Sequence, residues 1–243
     1  MTTSDSIASL NEPKHLAFRL TILLFAILLG AQSIWLLLAE FSRAETIELP
    51  TNATAAATAA KERDTALMAA SMGAIRGDLW AQSAFTYADL LFDQTGAINN
   101  LTLASAAEAA QRSIVHALAL SPHPSSVWLL LAGLTQRFPL SGIDPLEVLK
   151  MSYYTGPSEE NLMPLRLRIA VRADRFDDIQ IREFASREIR VLLNAKQNSA
   201  IAEAYNVGSP AAKRFVEGAV GDLDATFAKT LRASGAQKQS FPN

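Results

Sequence analysis

Cysteine is absent from the 243 residues, and histidine occurs only three times. Without cysteine there can be no disulfide, thiolate nucleophile or cysteine-based metal site. The histidines are scattered: His15 lies at the edge of an apolar run, His116 falls mid-helix among aliphatic residues, and His123 sits between two prolines. No carboxylate is spaced beside them as a metal ligand or an orienting partner. The phosphate-binding loop, the dinucleotide G-x-G-x-x-G, the G-x-S-x-G elbow and the zinc-binding H-E-x-x-H are all missing. Apolar–polar alternation of the kind that makes strands is missing too. Nor does one sign of charge dominate. With 22 basic and 24 acidic side chains the net charge is −2, which excludes bulk attraction to nucleic acid. These absences point away from an enzyme, a metal protein or a cofactor-binding protein, and no catalytic residue is expected.

What is present begins near the N-terminus. From Leu20 to Ala39 the chain carries no charge, and Thr21, Gln32 and Ser33 are the polar intruders. As a helix, about 20 residues cover about 30 Å, the thickness of a hydrocarbon core. Trp35 lies near one end, where an indole can reach the membrane interface. The run exceeds the roughly 7–15 apolar residues of a signal peptide, and Ser42-Arg43-Ala44 is a weak cleavage site. An uncleaved transmembrane helix over residues 17–41 is therefore expected. Lys14 and Arg19 precede the span and Arg43 follows it, which by the positive-inside rule leaves residues 1–16 as a cytoplasmic tail and the rest outside. In a Gram-negative bacterium that arrangement means an inner-membrane anchor with a periplasmic domain.

Residues 42–77 form an alanine-rich linker or stalk. Its first half suits a spacer, and Leu67, Met68, Met72 and Ile75 give its second half an apolar stripe with which to dock. Residues 78–233 read as a succession of helices. One is expected from Asp78 to about Phe92, and Gly96 with Asn99-Asn100 forms a loop. Another helix opens at or slightly before a Ser105/Glu108 capping box and runs to Leu120. Ser121-Pro122-His123-Pro124 stops it, and Ser125 can cap the next, which ends by Pro139. Asp144-Pro145-Leu146-Glu147 is a start signal made of cap, first-turn proline and reaching carboxylate. Pro164 lies in a first turn or at a kink. Asp177 can open a helix through Ile181, Ala185, Ile189 and Leu192, and Gly208 ends a shorter one. A last helix from Ser209-Pro210 puts Val216, Val220, Leu223, Phe227 and Leu231 in register. Residues 234–243 are polar and are expected to be a disordered tail. The fold class is all-α, with roughly seven or eight helices paired by short turns.

The junction at Ala110–Ala132 carries a resemblance. Ala110, Ile114, Ala117 and Pro122, followed by Trp128, Leu131 and Ala132, resemble the end of one tetratricopeptide repeat and the start of the next, a helix pair of about 34 residues per unit. Ile114 stands where an aromatic is commoner, and Ala132 where glycine is usual. Trp80, Ala84 and Tyr87 echo the tryptophan, small and tyrosine positions, although the separation of Trp80 from Trp128 exceeds one repeat by about a dozen residues. The resemblance implies a solenoid-like array of antiparallel helix pairs, covering about half the chain. More weakly, Trp128 to Arg172 resembles small single-pass proteins encoded beside exopolysaccharide-synthesis genes in proteobacteria, which implies a partner protein in an envelope complex.

Arginine is concentrated in one third of the domain. Arg166, Arg168, Arg172 and Arg175 form the candidate binding face, for an acidic partner, a lipid headgroup or an anionic glycan. Against this, Asp178–Arg182 and Glu183–Arg187 are acid-then-base pairs four apart, as on an ordinary solvated helix. Glu159-Glu160 after Ser158 suits a helix start. Two other functions would fit the same anchor: a glycan-processing enzyme needing two acids on one pocket, and a structural factor self-associating through Ala26, Gly30 and Ser33. The sequence leaves the oligomeric state open.

Overall fold

The structure is a computed structural model and describes residues 13–41, 46–92, 100–139, 142–173 and 175–239. Among these residues there is no strand. Helix α1 (Pro13–Phe41) contains one stretch, Leu16–Phe41, long and apolar enough to cross a membrane, and only 6% of its most apolar window is buried by the rest of the chain. A helix that is apolar all round must be covered by something other than water. The polar intruders Thr21 and Ser33 turn their hydroxyls back to the carbonyls of Ala17 and Leu29, which satisfies them within the helix.

Residues 46–50 are extended, with Leu49 and Pro50 buried. Asn52 then caps α2 (Ala53–Ala59), accepting a hydrogen bond from the Ala55 amide at 2.9 Å. A 3-10 turn, Ala60–Glu62, joins α2 to α3 (Arg63–Met72). The alanine-rich stretch is therefore helical along its first half as well. Its docking face is also not the expected one. Ala56, Ala59, Ala66, Ala69 and Ala70 are buried; of the expected stripe Met72 is partly buried and packs on Ala39, Ala70 and Leu79, whereas Leu67, Met68 and Ile75 are exposed. Small side chains let the helix backbone approach its neighbours, and these bulkier three are left outside.

The helix expected over Asp78–Phe92 is two: α4 (Gly77–Phe85) and α5 (Asp89–Phe92). Between them the amides of Tyr87 and Ala88 bond to carbonyls three residues back, a tighter winding than α-helix. Arg63 locks this break from α3. Its guanidinium donates to the Thr86 carbonyl and the Asp89 carboxylate, each at 2.9 Å, and lies over the Tyr87 ring. The expected loop at Gly96–Asn99 falls outside the described residues. Helix α6 (Asn100–Leu120) starts before Ser105, whose hydroxyl bonds back to Thr102 and caps nothing.

Helix α7 (Ser125–Arg137) begins with Ser125 inside its first turn. Pro124 occupies the cap position, and the Ser125 hydroxyl donates instead to Glu159. Helix α8 (Pro145–Thr155) starts as expected, with Asp144 accepting from the Leu146 amide, but Glu147 pairs with Lys150 and does not reach back. Helix α9 (Met163–Val171) holds Pro164 in its first turn. Helix α10 (Ile179–Asn194) is capped by Asp178, one residue later than expected. Helix α11 (Asn198–Val207) stops at Gly208. The final helix divides into α12 (Pro210–Gly221), capped by Ser209, and α13 (Ala225–Gln239), capped by Asp224, whose carboxylate accepts from the Thr226 and Phe227 amides. Leu223 consequently lies in the turn and is exposed. Helix α13 continues past residue 234, the expected start of the tail.

The helices pair most extensively as α7 with α8 and α4 with α6, followed by α3 with α4 and α9 with α11. The first two pairs share a detail. Trp80 and Trp128 each occupy the fourth position of their helix, and each indole donates to the carbonyl six residues back, Ala74 at 3.1 Å and Pro122 at 2.8 Å. In each pair the first residue of one helix abuts the end of the other. Gly77 faces Ala117 and Ser121, and Ser125 faces Gly156. Ala110, Ile114 and Ala117 are fully buried on α6, Pro122 is exposed, and Trp128 is half-buried.

A Cβ on Gly156 would stand 2.6 Å from that of Ser125, an atom the backbone holds in place, whereas one on Gly218 would meet nothing within 4 Å. Gly156→Ala should therefore destabilise the chain by about 1–3 kcal/mol through overpacking. Gly218→Ala, exposed within α12, should stabilise it by about 0.5–1 kcal/mol through helix propensity. Denaturant unfolding of the two full-length variants in detergent would check the opposite signs.

Candidate functional site

The four candidate arginines do not share one face. Arg166 is fully buried in the middle of α9. Its Nε donates to the Ser152 hydroxyl at 3.0 Å and its Nη2 to the Ser152 carbonyl at 2.7 Å, both on α8, and its guanidinium lies over the Tyr153 ring. It therefore belongs to the core and cannot line a surface. Arg175 is exposed but is ion-paired with Asp144, the cap of α8. That leaves Arg168 and Arg172, one turn apart on α9 and at its end, as the spacing of four requires.

A third arginine joins them. Arg137, in the last turn of α7, borders the same small cleft as Arg168 and Arg172. Leu91, Gly133, Leu165 and Ile169 make its apolar floor. Gly133 is needed for that convergence, since a Cβ there would lie 2.7 Å from Leu91 and 3.0 Å from Ile169. Two of the three basic groups are held in place, and Gln136 ties the helices beside them. Arg137 donates to the Leu90 carbonyl, Arg168 lies 5.1 Å over the Phe92 ring, and Gln136 bonds the Ile169 carbonyl at 3.2 Å. Among the described residues no carboxylate forms an ion pair with any of the three. Desolvation, and then repulsion from Arg168 and Arg137, depress the pKa of Arg172. Such an arrangement favours an anion, because each like-charge contact is relieved when a negative group enters. Arg137 was not legible as a partner of Arg168. It lies on a different helix, and alone it reads as a cation complementing a helix C-terminus.

The expected lacing of α10 takes another form. Asp178 turns to Lys150 at 2.8 Å, while Arg182 lies over Phe215 and Arg187 over Phe184. His116 stacks on Trp80 at 4.5 Å, and His123 is exposed in its turn. Among the described residues no group of three histidine or acidic side chains is placed to hold a metal ion. A separate groove between α4 and the start of α7 is bordered by Glu48, Asp78 and Glu159. Hydrogen bonds from Arg76 hold Asp78 below the usual carboxylate range, and Glu159 accepts from Ser125, so these acids are engaged structurally.

A strongly perturbed carboxyl belongs to a residue the sequence did not single out. Glu188 on α10 is buried, accepts from the Tyr153 hydroxyl at 3.0 Å, and faces Arg166 across 3.9 Å. Burial pushes its carboxyl up to about 8, against the pull of Arg166. Compared with known proteins, the chain matches no family model, no curated protein and no solved structure.

Removing one member of the buried pair leaves the other uncompensated. Arg166→Met should cost about 3–5 kcal/mol, and the double variant Arg166→Met/Glu188→Leu should recover most of it. The raised carboxyl also sets a pH dependence. The folded chain keeps a proton that the unfolded chain releases near 4.5, so this group's contribution is complete below that pH, declines as the pH rises through about 8 and is level beyond. Glu188→Gln, which cannot titrate, should flatten the stability profile in that window when unfolding is followed from pH 4 to 9.

Proposed function

We propose that the chain is a membrane-anchored helical scaffold. Its domain docks an acidic partner protein on the periplasmic side, in the synthesis or export of envelope polysaccharide. It acts by presenting a surface and not by making or breaking bonds. The observation that carries this reading is the cleft of Arg137, Arg168 and Arg172, three cations over an apolar floor without an acidic partner among the described residues. A desolvated, preorganised arginine cluster is what a carboxylate-rich surface requires for recognition.

Other features support parts of the reading. The shared tryptophan geometry of α4 and α7 supports a degenerate tetratricopeptide-like array, with α4–α6 and α7–α8 as its hairpins. Arrays of that kind bind through extended surfaces. The exposed apolar α1 supports a single-pass anchor in the inner membrane, and Lys14 and Arg19 support a cytoplasmic N-terminus. The resemblance of Trp128–Arg172 to exopolysaccharide-associated proteins supports the pathway.

Affinity purification of the full-length chain from membranes tests the proposal. A retained envelope protein is expected, with retention reduced at least tenfold in Arg168→Glu/Arg172→Glu while the fold is kept. Recovery of the protein alone and monomeric would overturn it, and so would equal retention by the charge-reversed variant.

A further inference from the structure

Helix α3 and the turn after it leave three bulky side chains outside the protein, while Met72 packs inward on Ala39, Ala70 and Leu79. Leu67, Met68 and Ile75 are 41%, 54% and 68% exposed, while Ala69 and Ala70 between them are buried. From Thr65 to Ile75 the chain carries no charge at all. Scattered exposed apolar residues are ordinary on any protein, but a continuous uncharged stretch with three of them marks a surface that something other than water covers.

The position of this surface says what covers it. The C-terminal end of α3 is fixed to the upper part of α1. The Trp35 indole donates to the Met72 carbonyl at 2.6 Å. Ala39 is completely buried in a small cluster with Ala70 and Leu79. Gly73 leaves room for Leu79 in this cluster, since a Cβ there would lie 2.4 Å from the end of that side chain. Arg76 closes the joint with an ion pair to Glu40 at 2.5 Å and a second to Asp78. Trp35 lies six residues before the end of α1, which at 1.5 Å per residue is about 9 Å down the helix. The end of α3 is thus held beside the last turns of the apolar segment. The exposed Leu67, Met68 and Ile75 therefore belong to the segment joined to α1 where its apolar run ends.

We infer that α3 and the turn to Ile75 form an interfacial element, with Leu67, Met68 and Ile75 seated in the boundary between lipid headgroups and acyl chains where α1 leaves the bilayer. This rests on the reading of α1 as a membrane anchor. An apolar helix face at that depth is stabilised by burial in the acyl boundary. Arg76, Glu40 and Asp78 at the same joint, an ion-paired group with one negative charge in excess, stay among the headgroups. The domain is then held at the membrane by two attachments, and its orientation to the bilayer is fixed.

The absence of cysteine makes the test direct. Full-length protein carrying one nitroxide label each at Leu28→Cys, Leu67→Cys, Met68→Cys, Ile75→Cys or Leu223→Cys is reconstituted into vesicles of phosphatidylcholine and phosphatidylglycerol. Collision with oxygen, which concentrates in lipid, is compared with collision with a water-soluble nickel chelate. Oxygen should dominate strongly at Leu28 and several-fold at Leu67, Met68 and Ile75, and nickel should dominate at Leu223, in the turn between α12 and α13. Nickel dominance at the three α3 sites with lipid exposure at Leu28 would overturn the interfacial element and leave the anchor standing. Water exposure at Leu28 would overturn both. Low access to both reagents at the α3 sites would mean that a protein, a second copy or a partner, covers them, which also overturns the inference.

Discussion

One guanidinium lies at the centre of this domain. Helix α9 is buried along most of its surface, with Pro164 and Arg168 its partly exposed residues. Arg166 is the charge placed inside it, and every contact it makes leads to another element: Ser152 and Tyr153 on α8, and Glu188 on α10. A buried arginine is costly unless its donors are met. Ser152 meets Nε and Nη2, whereas Nη1 has no hydrogen bond and only faces the Glu188 carboxylate across 3.9 Å. Hydrogen bonds from Arg166 therefore tie α9 to α8, and charge alone ties it to α10. The tyrosine serves both members of the pair, giving its ring to the arginine and its hydroxyl to the carboxylate. Tyr153 stacks in turn on Phe184, which extends the same arrangement along α10.

This centre also explains why the exposed arginines can act together. Arg168 and Arg172 lie on α9, away from Arg166, and α9 is aligned against α7 by packing across Gly133. A helix anchored by its buried charge presents its remaining charges at fixed positions. The cleft with Arg137 thus depends on the core as much as on the surface.

The sequence disclosed the elements better than their junctions. Long periodic segments such as α6, α8 and α10 were legible from their apolar spacing, and at α8 the cap agrees with it. The breaks at residues 86–88 and 222–224 were not, since in both places the apolar pattern continues across a turn. Arg63 and Asp224 decide those turns, one by a contact across 23 residues and the other by capping a new helix. The alanine stretch misled for another reason. Hydropathy ranks leucine and methionine above alanine, but close helix approach selects for small size. The candidate site was half legible. The spacing of Arg168 and Arg172 on one helix could be read directly, whereas the burial of Arg166 and the arrival of Arg137 from another helix depend on packing that no local pattern encodes.

The hydroxyls of the apolar helix carry a consequence for its neighbours. Thr21 and Ser33 are each already bonded to a carbonyl one turn back, and Gly30 has nothing within 4 Å of where a side chain would begin. A polar group satisfied in its own helix gives no pull toward a second one. Lateral pairing of two such rods would draw on the close fit of small residues and on Gln32, the one polar side chain of the run besides these two. Within the chain, the rod is held at its C-terminal end, through Trp35, Ala39 and Glu40.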